Sequence, residues 1–544
     1  MSILQLFQLF AWKQHQQQQR SKTFPPGWAI DALCVVVLLL YFLYFALPAL
    51  GGHLAEDEPP ELYRFWYHGW LKWIWANIFF WRQTKTFFRP AGVFYYLPLY
   101  HCFGLNPRPY HIAQISILAA SIPMIYYLAR SLSSSRSVAF LAVLALCYHV
   151  GLTSLVFIGS FSYDILCGFF YFAALTYYIH FRERDAQLRS LQLVGFLALY
   201  VGALDFKEMA VSLPVIVLIY EVLKSPRWGD WKQLIRWAYS STIPALIAGL
   251  ITAVYIYFRI HGPTSLATAD AYRPRYSWST FLKSNASFVS ELFYGVAISD
   301  WGLLALWALV FIYAFLRRDR MLRLMAFWVV IVPLPLAFIV PIRGGGHLYL
   351  LLFGWAMIFA KVASDLIELL CKFSLLMRQG ARRMGAATGA ITRSTPTGGV
   401  RGTATGVAAA SNMSQTTLRI AATLVVALSL AIFTRWKNPP PYVRAFQNYG
   451  QKTSHVAQAF RSLDLRPVPG SWILVKGNPF MPSQWGEGWD VLFIPALLWN
   501  DHSLHILLEG LNKLTPQQVV NMDYVILLSE FHAEIVRAPE SQRR

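Results

Sequence analysis

The strongest constraint on this chain is a series of long apolar runs. Residues 28–50 are almost wholly apolar, and a helix needs about 20 such residues to cross the hydrocarbon core of a bilayer. Comparable runs follow at 111–129, 137–156, 164–181, 190–205, 209–223, 237–258, 301–316, 321–341, 347–370 and 418–434. Lipid offers no partner for backbone amides, so runs of this length predict helices that bond internally. The expectation is an all-α polytopic membrane protein with about eleven transmembrane helices. Composition agrees. Of 544 residues, 56% are hydrophobic and 14% charged, whereas soluble domains carry about 25% charged residues. The first run lacks a short apolar core with a small-residue cleavage site and reads as a retained anchor.

The net charge of +20 does not point to nucleic acid. Many of the cations fall between apolar runs, as the positive-inside rule expects. With residues 1–27 as a polar cytoplasmic tail, the inner loops hold Arg130 and Arg136, then Arg182, Arg184 and Arg189, then Lys224, Arg227, Lys232 and Arg236, then Arg317, Arg318 and Arg320. The 371–417 loop adds Lys372, Arg378, Arg382, Arg383, Arg393 and Arg401 in a Gly-, Ala-, Ser- and Thr-rich stretch that reads as flexible. This orientation places residue 544 outside. The five cysteines show neither metal spacing nor a disulfide framework.

Two stretches between or after the spans carry structure of their own. Residues 51–110 form a long first external loop. Trp66, Trp70, Trp73, Trp75 and Trp81 alternate there with Arg64, His68 and Lys72, a mixture that favours a helix lying in the membrane interface. The Trp66, Trp70, Trp73 stripe reads as an interfacial anchor rather than a sugar platform. Residues 91–104, interrupted by Pro98, read as a second juxtamembrane or re-entrant piece. Residues 435–544 read as a small extracytoplasmic α/β domain. It has a helix near 454–463 and strands at 472–475, 490–494 and 524–528.

Ionisable groups at membrane depth are costly, which makes them candidates for function. On the outer side stand Glu56-Asp57-Glu58 after the first span, Arg89-Pro90, Asp164 at the start of the fourth span, Asp205-Phe206-Lys207-Glu208 in a tight turn, and Arg343 with His347 before the tenth. Carboxylates there can take a proton from a hydroxyl or hold a cation on a phosphate. Arg, Lys and His can neutralise a phosphate. Each group also has a plainer role open to it. Asp57 and its neighbours can be solvated, Asp164 a helix cap, Lys207 and Glu208 mutual partners, and Arg343 a span end.

The same residues carry a resemblance. Asp57-Glu58, Phe88-Arg89-Pro90, Phe103-Gly104-Leu105, Tyr110-His111, Tyr148-His149-Val150, Asp164-Ile165-Leu166, Lys207-Glu208-Met209-Ala210, Tyr220-Glu221 and His347-Leu348-Tyr349-Leu350 are similar, in order and spacing, to motifs of polyprenol-phosphate-sugar-dependent glycosyltransferases of the GT-C superfamily. The closest likeness is to the membrane part of the tetratricopeptide-bearing transmembrane O-mannosyltransferases and their bacterial relatives. It covers about residues 28–350. The departures are a missing proline after His149, Ser162 where an arginine is common, and no tetratricopeptide array.

The resemblance implies inverting transfer of a sugar from a polyprenyl-phosphate carrier to a glycan, lipid or protein acceptor. It implies a bacterial inner membrane with the site on its outer face. Asp57 would be the base, with Glu58 as its alternative. Lys207, Arg343, Arg89 and His347 would meet the donor phosphate, supported by Asp164 and Glu208. It leaves a divalent cation open. Three other classes remain open: a lipid-linked oligosaccharide polymerase or ligase, for which Arg259, Arg273, Arg275 and Lys283 would speak, a lipid or solute transporter, and a non-catalytic assembly factor.

Overall fold

A computed structural model describes residues 27–55, 57–81, 89–184, 187–225, 230–261, 273–339, 345–391, 415–480 and 490–539. Glu56, Phe88 and Arg343 lie outside these, as do the tail to residue 26 and the basic stretch 392–414. The chain begins with α1 (Gly27–Ala46), α2 (Glu58–Ile78), α3 (Val93–Phe103), α4 (Pro107–Ser133) and α5 (Arg136–Cys147). Next come α6 (Ser162–Arg184), α7 (Ser190–Phe206), α8 (Leu213–Lys224), α9 (Ile243–His261) and α10 (Trp278–Leu292). Then α11 (Asp300–Leu316), α12 (Arg320–Ile331), α13 (Tyr349–Ile391) and α14 (Gln415–Lys437) complete the membrane part.

Among the described residues, seven helices are long and apolar enough to cross a bilayer. There are eight if Arg136–Cys147 and Val150–Phe157, bent by 47°, form one span. This is an all-α integral membrane protein. Over their described residues the expected apolar runs are mostly helix, but α7, α8 and α11 have 17, 12 and 17 residues, fewer than a full crossing takes. The α7–α8 break is where the Asp205–Glu208 charges sit. Irregular backbone at membrane depth is tolerated where protein buries it or a cavity opens beside it. At the other end of the bundle, α13 continues as helix to Ile391, some twenty residues beyond the expected end at 370.

The centre of the bundle is α6, packed against α4 and α7, while α13 lies on α5. Gly168 lets α6 and α13 meet closely, because a Cβ there would stand 2.7 Å from the Tyr349 ring. At the end of the bundle away from the α/β domain, Arg182 is bonded to Glu221 at 2.6 Å, with Tyr178 donating to the same carboxylate at 2.8 Å. Arg136 pairs with Asp31 at 2.8 Å nearby. Arg136 and Arg182, two of the cations expected in the inner loops, therefore lie at one end.

The interfacial helix differs from expectation in which face it presents. Gly69, at φ 67°, kinks α2 in its middle. Beyond the kink Trp70, Leu71, Ile74, Trp75 and Ile78 are exposed, a spacing that forms one stripe on a helix. Trp66 and Trp73 are buried against protein instead, and the Trp73 indole donates to Phe65 O at 3.2 Å. The exposed apolar face is therefore made by Trp70 and Trp75 with their aliphatic neighbours.

The α/β domain caps the end of the bundle that carries α2. It contains α15 (Pro440–Gln447), α16 (Gln451–Ser462), β1 (Trp472–Lys476), α17 (Asp490–Trp499), β2 (His505–Leu508), β3 (Tyr524–Leu528) and β4 (Ala533–Arg537). The sheet order is β2-β1-β3-β4, parallel except for the last pair. The strand expected at 490–494 is a helix. A short apolar run looks alike in both states, and this one extends over ten residues as α17, which lies against α2.

Candidate functional site

The breaks between helices supply the site. α7 ends at Phe206, and the 3₁₀ turn Glu208–Ser212 leads into Pro214 at the start of α8. Lys207 sits between them in extended conformation and is 2% exposed. A second turn, Gly345–Leu348, precedes α13 and carries His347. A third, Gly159–Phe161, precedes α6 and sets Asp164 in its first turn. A fourth, Pro90–Gly92, follows Arg89, which adopts φ 47°.

These four turns bring their charges together. Lys207 Nζ donates to Asp164 Oδ2 at 2.6 Å and lies 2.7 Å from His347 Nδ1, which is 3.0 Å from Asp164 Oδ1. Arg89 pairs with Glu208 at 2.7 Å, its guanidinium 5.5 Å from the centre of the Tyr163 ring. Lys207 and Glu208 therefore have separate partners. Burial pulls the Lys207 pKa down, against the pull of Asp164. Burial would raise Glu208, but Arg89, Arg259 and Lys207 outweigh it and hold its pKa at about 2. Asp205 is buried at the end of α7, and its Oδ1 has no hydrogen-bond partner among the described residues.

The first-loop acids reach the same region by α2. Asp57 is the N-cap residue of α2 and is exposed. Glu58 is 1% exposed, accepts the Ala55 amide at 2.6 Å and packs on Gly159 so closely that a Cβ there would collide with its carboxyl. Burial pushes the Glu58 pKa up to about 8, so it is largely protonated at neutral pH. One and two turns further along α2, Glu61 and Arg64 pair with each other. Tyr163 donates to Glu61 at 2.6 Å and accepts from Arg64 at 3.1 Å. Tyr163 thus joins α2 to Arg89 and to its neighbour Asp164.

Sequence reasoning passed over Glu61, Tyr163 and Glu291. Glu61 lies three residues after Glu58 on a helix, a spacing that places both on one side, and this was the available signal. Glu291 accepts the Gly345 amide and so holds the turn before His347. Nothing in its sequence surroundings announces that role. Arg64 and Arg259, an interfacial and a loop cation by sequence, join the site through Tyr163 and Glu208. Among the described residues no group of three His, Cys, Asp or Glu stands where it could hold a metal ion.

No protein-family model matches the chain, and no curated protein matches it either. Among solved structures, the crystal structure of ArnT from Cupriavidus metallidurans bound to undecaprenyl phosphate is similar at a TM-score of 0.47 and 12% identity. The match covers 94% of this chain and 99% of that one.

Proposed function

We propose that this chain is a membrane glycosyltransferase that moves a sugar from a polyprenyl-phosphate carrier to an acceptor hydroxyl on the outer side of the membrane, with inversion. The observation that supports this reading most is the convergence of Arg89, Asp164, Lys207, Glu208 and His347, from separate segments, at one end of an apolar bundle. The same residues carry the GT-C resemblance. A lipid phosphate needs fixed hydrogen-bond donors in a site shielded from water, and Lys207 and Arg89, each held in place by a carboxylate, supply them.

In this mechanism the Asp57 carboxylate takes the proton of the acceptor hydroxyl. The oxygen attacks the anomeric carbon from the face opposite the phosphate. The bond from that carbon to the phosphate oxygen breaks, and polyprenyl phosphate leaves with one more negative charge. An ammonium has three donors. Those of Lys207 facing Asp164 and His347 orient it, and the third is available to the leaving oxygen. Arg89, held by Glu208, adds a second cation. Buried and protonated, Glu58 holds the turn that presents Asp57.

The test is single-turnover assay of the purified chain in lipid with synthetic polyprenyl-phosphate sugars. Release of polyprenyl phosphate with an inverted glycoside supports the reading. Failure to turn over any hexosyl or pentosyl donor, with and without a divalent cation, sinks it.

A further inference from the structure

The α/β domain holds an open cleft of about 490 Å³, within the size range of small-molecule sites. Trp499, half-buried over the core residue Phe460, provides the aromatic lining, and Arg461, Asp464, Arg466 and Asp501 complete the polar part of the wall. The Phe460 and Trp499 rings meet edge-on, with centroids 6.0 Å apart. Asp501 is fixed, accepting the Ser503 amide at 2.8 Å and its hydroxyl at 2.6 Å. Asp464 and the neighbouring Asn500 both adopt left-handed backbone, φ 45° and 53°. Asp and Asn tolerate this better than most residues, so the two turns that frame the cleft are defined by sequence.

The chemistry of this wall is that of a sugar site. Carboxylates only accept hydrogen bonds and guanidinium groups only donate them. A hydroxyl does both, so neighbouring hydroxyls of a sugar match a wall that carries both Asp and Arg. The Trp499 ring suits the apolar C–H face of the same sugar. Two Arg against two Asp leave no net charge to select an anion.

The cleft is also joined to the proposed catalytic end. Asn500, next to Trp499, accepts the Trp66 indole at 2.8 Å, and Leu497 O accepts the Tyr100 hydroxyl at 2.7 Å. Trp66 stacks on His502 at 3.7 Å. Trp66 and Asp57 belong to one helix, so they are separated by about 13 Å along α2, at 1.5 Å per residue. The cleft is thus tied to α2 about two and a half turns beyond Asp57, a separation that suits an acceptor of more than one sugar unit.

We infer that this cleft is the docking site of the acceptor, and that the acceptor is a neutral oligosaccharide held between Arg461, Asp464 and Trp499 while its terminal unit reaches Asp57. The inference rests on the glycosyltransferase reading for its role, but binding can be measured without a donor. The experiment titrates the full chain in lipid nanodiscs, donor absent, with mannotriose, maltotriose and chitotriose by calorimetry. The expected result is saturable binding of at least one, weakened about ten-fold or more by Arg461→Gln or Asp464→Asn, the loss expected for a hydrogen bond to a charged group. In the transfer assay the same variants raise the KM for the oligosaccharide and leave donor hydrolysis unchanged. Absence of binding by all three, or binding insensitive to both substitutions, overturns the inference. So does tighter binding of Ser/Thr-containing peptides that depends on the same residues. Saccharide binding without donor turnover would keep the cleft and remove the glycosyltransferase reading, whereas turnover without saccharide binding would do the reverse.

Discussion

Glu58 is buried with its carboxyl against Gly159, while Asp57, one residue earlier, is exposed at the N-cap of α2. As a sequence, the acidic run offered no means of separating them. Their difference arises from a turn a hundred residues away. Asp57→Asn is expected to keep the fold and donor binding and to lose transfer by roughly 10²–10⁴-fold, the range for a general base; near-normal single-turnover transfer would remove it from the mechanism. Glu58→Gln should keep most activity, since the amide resembles the protonated acid. Its signature is in stability. The folded pKa of about 8 lies above the ordinary glutamate value of 4.5. The stability from protonated Glu58 is thus fully present below about pH 4.5 and is lost as pH rises through about 8. Thermal melts from pH 4 to 9 should show this fall in the parent and a flatter profile in Glu58→Gln. Lys207 is a different case, because Asp164 depends on it. Removing one partner of a buried pair costs about 3–5 kcal/mol. Lys207→Met should therefore melt early, and adding Asp164→Asn should recover much of the stability but no use of the donor. Recovery of donor turnover in the double variant would argue against a phosphate role for Lys207.

The elements were legible where length and apolarity decided them, and less so where context did. The helix at 451–462 and the strands at 472–476 and 524–528 follow from their own residues. α17 was mistaken for a strand because Val491-Leu492-Phe493-Ile494 is a fair strand taken alone. Its helical state is fixed by packing on α2, where Phe493 meets Tyr63 with ring centroids 4.7 Å apart. The shift of Trp66 from lipid anchor to domain contact has the same origin, since its partner Asn500 is 434 residues away. The Trp66–Asn500 bond is a sensitive point of this contact. Asn500→Ala should cost about 1–3 kcal/mol by leaving a largely buried indole donor without its acceptor, and Trp66→Phe, which removes the donor as well, should cost less. Equal melting temperatures for Asn500→Ala and the parent would show that water replaces the bond. Neither change should alter donor hydrolysis, because the cluster around Lys207 lies on other elements.

For the molecule as a whole, the charge pattern of the loops gave more than any single motif. It divides the chain into an end with Arg136–Asp31 and Arg182–Glu221 and an end with Lys207–Asp164, Arg89–Glu208 and the α/β domain. The first set was expected in the cytoplasm and the second outside, and each set does gather at one end of the bundle. Convergence within the second set was not readable, because it is made by helix breaks whose partners lie up to 183 residues apart. Which end faces out follows from the positive-inside rule and is open to direct test. Single cysteines replacing Arg318 or Arg383 should be labelled by a membrane-impermeant maleimide only after the membrane is opened. A cysteine at position 539, at the end of the α/β domain, should be labelled in intact cells. The background is a chain whose five native cysteines are replaced. Labelling at 383 from outside would invert the molecule, and the cluster around Lys207 would then have to draw its sugar donor from the cytoplasmic leaflet.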